Sequence, residues 1–193
     1  MPNKLLMKNF VVDLLQDNIP LCYYYHNYEH TLYVQEKTIE IGSHANCTEK
    51  EIELLSAAAL WHDTGYINSY KNHEEESCSL AKKYLPQYGF TQEEIDTICG
   101  MIMATKVPQL PKNKLKEIVA DADLEYLGTA AAAGKSEDLF LELQSLTPSL
   151  TKKVWDQIQI SFLQSHHYFT TYCKTEKEPG KENYLKGLIS AAG

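Results

Sequence analysis

Apolar positions recur every three to four residues along almost the whole chain, the period of an α-helix rather than the two-residue alternation of a strand. Leu5, Leu6, Phe10, Val11, Leu14 and Leu15 form one stripe, ended before Pro20. A second helix starts at Asn27 or Tyr28 and runs to about Ile41, with Gly42 as its stop. Thr48 and Glu51 stand at capping-box spacing and open a third helix through Ile52, Leu55, Ala58 and Ala59 towards Trp61, which Gly65 ends. Asn72 with Glu75 and Thr91 with Glu94 repeat the start signal, for helices reaching Tyr84 or Leu85 and Ile102 or Met103. After a loop marked by Pro108 and Pro111, a helix from about Lys112 carries Leu115, Ile118 and Val119 into Asp121–Leu127, before Gly128. Ala130–Ala133 is a good helix former whose relation to the next element stays open. Thr151 caps a long segment through Trp155, Ile158 and Phe162 to His166. Thr175–Lys181, charged and containing Pro179-Gly180, reads as an exposed loop before a short terminal helix. No strand pair, repeat or low-complexity linker interrupts this pattern. The expectation is an all-α fold, one helical-bundle domain over residues 1–193.

Composition narrows the partners. The 193 residues suffice for a substantial core. The net charge is −8, and every one of the 18 basic residues is a lysine. An acidic chain without arginine forks is a poor match for nucleic acid. Any phosphate bound here would be neutralised by a metal, lysine, histidine or backbone N–H groups. The five cysteines are scattered with no Cys-x-x-Cys, which fits reduced thiols and a cytoplasmic location. No membrane association is expected: Leu54–Trp61 is far too short to span one, and Asp13 and Asp17 spoil the N-terminal stretch as a signal peptide. A homo-oligomer formed through an exposed apolar helix face stays open.

The candidate chemistry lies in Tyr25-His26-Asn27-Tyr28-Glu29-His30, His62-Asp63 and Asp121-Ala122-Asp123. A helical bundle gathers such residues from several helices into one interior site. His62 and Asp63 are neighbours, about 100° apart on a helix, so both reach one ion only beside a last turn, where Gly65 places them. His30 would come from the preceding helix and Asp123 from a later one. Two imidazoles and two carboxylates suit a divalent transition metal (Mn²⁺, Fe²⁺, Co²⁺, Ni²⁺ or Zn²⁺) better than Ca²⁺ and do not choose among them. Such an ion lowers the pKa of water towards about 7 and polarises a phosphoryl oxygen. His26, four residues before His30, shares its face if that segment is helical and is placed to act as a general acid. Glu29 or another carboxylate would fix its tautomer.

These residues resemble the HD superfamily of metal-dependent phosphohydrolases, whose signature is a histidine, a His-Asp doublet and a distant aspartate. The match is His30, His62-Asp63 and Asp123. Tyr25-His26-Asn27-x-x-His30 also resembles the motif of cyclic-nucleotide phosphodiesterases in that superfamily, which implies His26 as proton donor and His30 as metal ligand. Ala57–Tyr66, His73–Phe90, Ile102–Lys106, Val119–Gly128 and Phe162–Thr170 look like a small bacterial family of predicted HD phosphohydrolases. The Ala122-Asp123-Leu124 context favours Asp123 as the last ligand, with Asp121 the competing choice. The chain lacks the later paired histidines of dinuclear members and any recognisable purine clamp.

The resemblance implies metal-dependent hydrolysis of a phosphoester in a small phosphorylated metabolite, a nucleotide or derivative being the expected class. His26 and Asp63 would be catalytic, and His73 and Lys106 candidate substrate contacts, His73 alternatively a ligand for a second ion. Two other readings remain: a non-catalytic nucleotide sensor on the same scaffold, and a di-iron oxygenase. His166, His167 and His44 read as surface or core residues, and Tyr23-Tyr24-Tyr25 as packing before the second helix.

Overall fold

The computed structural model describes residues 2–192, and the fold is all-α. The helices are α1 (Pro2–Asn18), α2 (Tyr28–His44), α3 (Glu49–Trp61), α4 (His73–Tyr84), α5 (Gln92–Ile102), α6 (Lys114–Asp123), α7 (Ala132–Leu146), α8 (Lys152–Ser165), α9 (Thr171–Glu176) and α10 (Glu178–Ala192). Short 3-10 turns at Thr64–Ile67, Leu85–Tyr88 and Glu125–Gly128 follow α3, α4 and α6. Among the described residues no helix is long and apolar enough to cross a membrane.

Side-chain caps set most helix starts, because the first N–H groups of a helix have no partner within it. Asn27 accepts N–H bonds from Glu29 and His30 at 2.9 and 3.1 Å. Thr48–Glu51 and Thr91–Glu94 both close as capping boxes. Asn113, Thr151 and Thr170 cap α6, α8 and α9.

Two apolar clusters result. The larger holds Val34, Ile41, Leu55, Leu60, Trp61, Ile98 and Ile102 where α2, α3, α5 and α6 meet, with α1 and α4 packed outside. The smaller brings Tyr25, Leu124, Tyr126, Leu127 and Leu163 together beneath α7, α8 and α10.

Several expectations are corrected. Gly42 does not stop α2, which continues to His44. Its missing side chain lets α3 approach, since a Cβ there would meet Ile52 Cδ1 at 2.7 Å. Asn72 adopts left-handed backbone and makes no side-chain cap for α4. The sixth helix begins at Lys114, not Lys112, and ends at Asp123, with a separate turn after it. Thr175–Lys181 is not an exposed loop: α9 gives way almost directly to α10, and Lys181 is buried. Pro179 is tolerated because it falls in the first turn of α10, where N–H groups are unpaired anyway. Gly180 is needed because a Cβ would lie 2.1 Å from the Gly128 carbonyl oxygen of the turn after α6.

Lys181 donates to the His166 carbonyl just past the end of α8 and lies 3.3 Å from His166 Nδ1. Burial, helped by the Lys181 and His167 charges, pushes His166 down to about 3. An unfolded histidine titrates near 6.5. Between those values only the unfolded chain takes up this proton, so His166 contributes stability above about pH 6.5 that is lost progressively as pH falls. His166→Gln should therefore lose less thermal stability than the wild type between pH 7 and pH 5, read by circular dichroism melts.

Gly65 offers a second check. A Cβ there would lie 1.9 Å from the His73 carbonyl oxygen, and backbone cannot yield as a side chain does. Gly65→Ala should destabilise by at least about 1–3 kcal/mol in urea unfolding. Gly187→Ala, with nothing within 4 Å on α10, should stabilise by up to about 1 kcal/mol.

Candidate metal centre and its cavity

Each chemical side chain stands where a helix begins or ends. The Asn27 cap fixes the first turn of α2 and turns His30 inward, with Tyr25 packed on its ring at 4.6 Å. His62 is the last residue of helical geometry on α3, and Asp63 follows with φ −107° and ψ 4°. That departure swings the Asp63 carboxylate towards the same point as the neighbouring imidazole. Ser77 on α4 holds the turn: its Oγ donates to the His62 carbonyl at 2.6 Å and accepts the Gly65 N–H at 2.8 Å. Asp123 ends α6.

These four side chains converge. His30 Nε2 lies 3.2 Å from Asp123 Oδ1 and 3.4 Å from Asp63 Oδ2. His62 Nε2 lies 3.1 Å from Asp63 Oδ2 and 3.5 Å from Asp123 Oδ1. His30, His62 and Asp123 offer donor atoms that all fall within 4.8 Å of one another. His62 Nδ1 donates to the Ala59 carbonyl at 2.7 Å, which leaves Nε2 bare and facing the cluster. Neither His62 Nε2 nor Asp63 Oδ2 has a hydrogen-bond partner, though both are buried. An unsatisfied buried polar atom costs about 1–3 kcal/mol; a cation between them would satisfy both. This donor set fits a divalent transition metal.

The electrostatics agree. Burial opposes ionisation of Asp63, but His62 outweighs it and holds the carboxyl far below its usual range. Burial likewise opposes ionisation of Asp123, and the hydrogen bond with His30 and the adjacent His62 imidazole bring it to about 2. Burial lowers His30, whereas on His62 the Asp63 and Asp123 charges override burial and raise it well above its ordinary value. Two ionised carboxylates are thus held side by side at the cavity's edge with positive charge drawn towards them.

Asp121 faces elsewhere. It is fully buried and accepts the Phe169 and Thr170 N–H groups, each at 2.8 Å, and the Thr170 hydroxyl at 2.7 Å. It joins α6 to the start of α9, and the structure brings Asp123, not Asp121, to the two imidazoles.

His26 stands beside the cluster, its ring centroid 6.1 Å from that of His30. It precedes the Asn27 cap, so it lies on the connecting segment and not on the helix. Glu29 is exposed and does not reach it. Glu142 of α7 does: one carboxylate oxygen pairs with His26 Nδ1, while the other accepts the Tyr25 and His26 N–H groups at 3.0 Å each. Burial raises Glu142, but the bonds to His26 prevail and hold it below its ordinary value. The far ring nitrogen, Nε2, is 3.0 Å from the Tyr66 hydroxyl. Tyr66 also stacks on His73 with centroids 3.9 Å apart.

These groups line one end of a cavity of about 610 Å³. His73 is on its wall, with Nε2 3.6 Å from Asp63 Oδ1 and 3.5 Å from Glu74 Oε1. Lys106 is at the rim, paired with Glu75 and 3.4 Å from Asn72 Oδ1. His44 is exposed and stacks on Tyr172, and His167 is exposed as well.

Residues 27–125, just over half of the chain, match the HD domain family. The chain belongs to that family. The matched span of the HD domain contains His30, His62, Asp63 and Asp123; His26 falls one residue before it and Glu142 well after it. A solved structure described as a predicted HD superfamily hydrolase, from an uncultured Thermotogales bacterium, is similar in fold with a TM-score of 0.63. It is 18% identical, and the alignment covers 96% of this chain and 92% of that one. No curated protein sequence matches.

Protein stripped with a chelator should gain thermal stability on addition of Mn²⁺, since a ion that binds only the folded chain shifts unfolding by mass action. Asp123→Asn and His62→Ala should abolish that gain. Asp121→Asn should lower the melting temperature of the stripped protein and keep the gain.

Proposed function

We propose that this HD domain protein hydrolyses a phosphoester of a small phosphorylated metabolite, with His30, His62, Asp63 and Asp123 holding a divalent transition metal. A nucleotide or nucleotide derivative is the class the sequence resemblance implies. The observation that carries the reading is the pairing of two features: the unsatisfied buried atoms His62 Nε2 and Asp63 Oδ2, and His26 held by Glu142, with Asp63 and His26 lining one cavity. The hydrolase description of the structural neighbour supports it.

A divalent ion bound there would supply an activated water and polarise a phosphoryl oxygen. The chain does the rest. Asp63, with Oδ2 turned to the imidazoles and Oδ1 towards His73, orients the attacking water. His26 delivers a proton from Nε2 to the departing alcohol oxygen as the P–O bond breaks. Glu142 stabilises the charged imidazolium before transfer and keeps the proton of the neutral ring on Nδ1, away from the leaving group. The Tyr66 hydroxyl, at 3.0 Å from His26 Nε2, orients the ring atom that carries this proton. His73 and Lys106 supply N–H donors around the phosphate from the cavity wall and rim.

The test is turnover of a broad phosphoester panel, nucleotides included, by purified protein with Mn²⁺, Fe²⁺, Co²⁺ or Ni²⁺. His26→Ala should lower kcat by about 10²–10⁴-fold, most strongly for esters with poor leaving groups. Glu142→Gln should fall between it and the wild type. Stoichiometric metal with no turnover on any ester would refute the proposal. Tight nucleotide binding that survives His62→Ala and Asp63→Ala would instead favour a sensor.

A further inference from the structure

The cavity has two unlike ends. Beside the metal cluster it is lined by imidazoles, carboxylates and tyrosine hydroxyls, with Lys71 and Lys106 near His73. Its other end is walled by Leu127 from the turn after α6, Leu139 and Leu143 from α7, and Ile158, Phe162 and Leu163 from α8.

Polar atoms at this second end are almost all spent on one another. Trp155 Nε1 donates to Ser136 Oγ at 3.2 Å, and Ser136 Oγ donates to Gln159 Oε1. Tyr184 donates to the same oxygen at 2.9 Å. The amide nitrogen of Gln159 is buried without a partner. Apart from that N–H group, nothing here offers a hydrogen bond to sugar hydroxyls, and the two lysines of the lining, Lys71 and Lys106, belong to the polar end. A strongly polar occupant would lose its water without replacement, at a cost of about 1–3 kcal/mol for each unpaired group.

We infer that the alcohol portion of the substrate is mainly hydrocarbon, an alkyl, isoprenoid or aryl group that lies between α7 and α8 while its phosphate sits at the metal end. The inference rests on the phosphoester reading above and narrows it. The reaction balances as hydrolysis: water adds to phosphorus, the P–O bond to the apolar alcohol breaks, and His26 gives that oxygen its proton. Glu142 links the two ends, because α7 carries both Leu139 and Leu143 of the apolar wall and the carboxylate that holds the acid.

The experiment uses the full chain loaded with Mn²⁺ and n-alkylphosphonates from methyl to dodecyl, with adenosine monophosphate as the polar comparator. Binding is read by calorimetry, and turnover is followed with the matching alkyl phosphates. Each methylene that enters the chamber should tighten Kd by about fourfold, with a plateau once the chamber is full. Ile158→Asp, at a position half exposed on the outer wall, should flatten this dependence, and a melt confirms that the variant folds. A flat chain-length series, or adenosine monophosphate bound more tightly than any alkylphosphonate, overturns the inference. The two readings fail separately. Chain-length-dependent binding without turnover keeps the apolar chamber and removes the hydrolase; turnover of esters with no chain-length dependence does the opposite.

Discussion

Two carboxylates, the buried Asp63 and the half-buried Asp123, are held against the Nε2 atoms of two buried imidazoles. Charges so placed do not stabilise a fold by themselves, because desolvation offsets most of their mutual attraction. They persist because surrounding elements leave them nowhere else to go. The Asn27 cap turns His30 inward, the Ser77 hydroxyl grips the turn after α3, and α6 ends at Asp123. Gly65 lets that turn press against the backbone of α4, closer than any side chain would allow. The site is thus built from helix ends, where backbone direction changes and adjacent residues such as His62 and Asp63 can face one point.

Much of this is legible in the chain because it is local. Capping boxes at Thr48 and Thr91 need only a four-residue window, and helix periodicity needs one or two turns. The His-Asp doublet before a glycine likewise carries its geometry in its immediate neighbours. What escapes the sequence depends on crossings between distant elements. Gly42 and Gly180 look like helix breakers, yet each is a point of close packing inside a helix. Glu142 sits within Leu139-Phe140-Leu141-Glu142-Leu143, and a carboxylate amid an apolar helical face was the available signal. Nothing local said that it would meet His26, 116 residues away. The choice between Asp121 and Asp123 is similar: both lie at the end of one helix, and only the position of α9 assigns Asp121 to the Thr170 cap.

The two halves of the molecule divide the chemistry. Helices α2, α3 and α6 carry the candidate metal ligands, and their core is continuous apolar packing. Helices α7 and α8 lie outside the span that matches the HD domain, and they supply both the partner of His26 and the apolar wall. The candidate metal centre and the apolar wall beside it are thereby joined through one helix, α7, whose Glu142 holds His26. Under the proposed reaction, a change in α7 alters substrate fit and proton delivery together.

The central claim is that His30, His62, Asp63 and Asp123 share one cation. Crystals soaked in Mn²⁺ and measured near the manganese absorption edge test it most directly. A shared cation gives a single strong anomalous peak within coordination distance of His30 Nε2, His62 Nε2 and Asp123 Oδ1, with Asp63 completing the set. No peak at that point, or a peak beside Asp121, would contradict it.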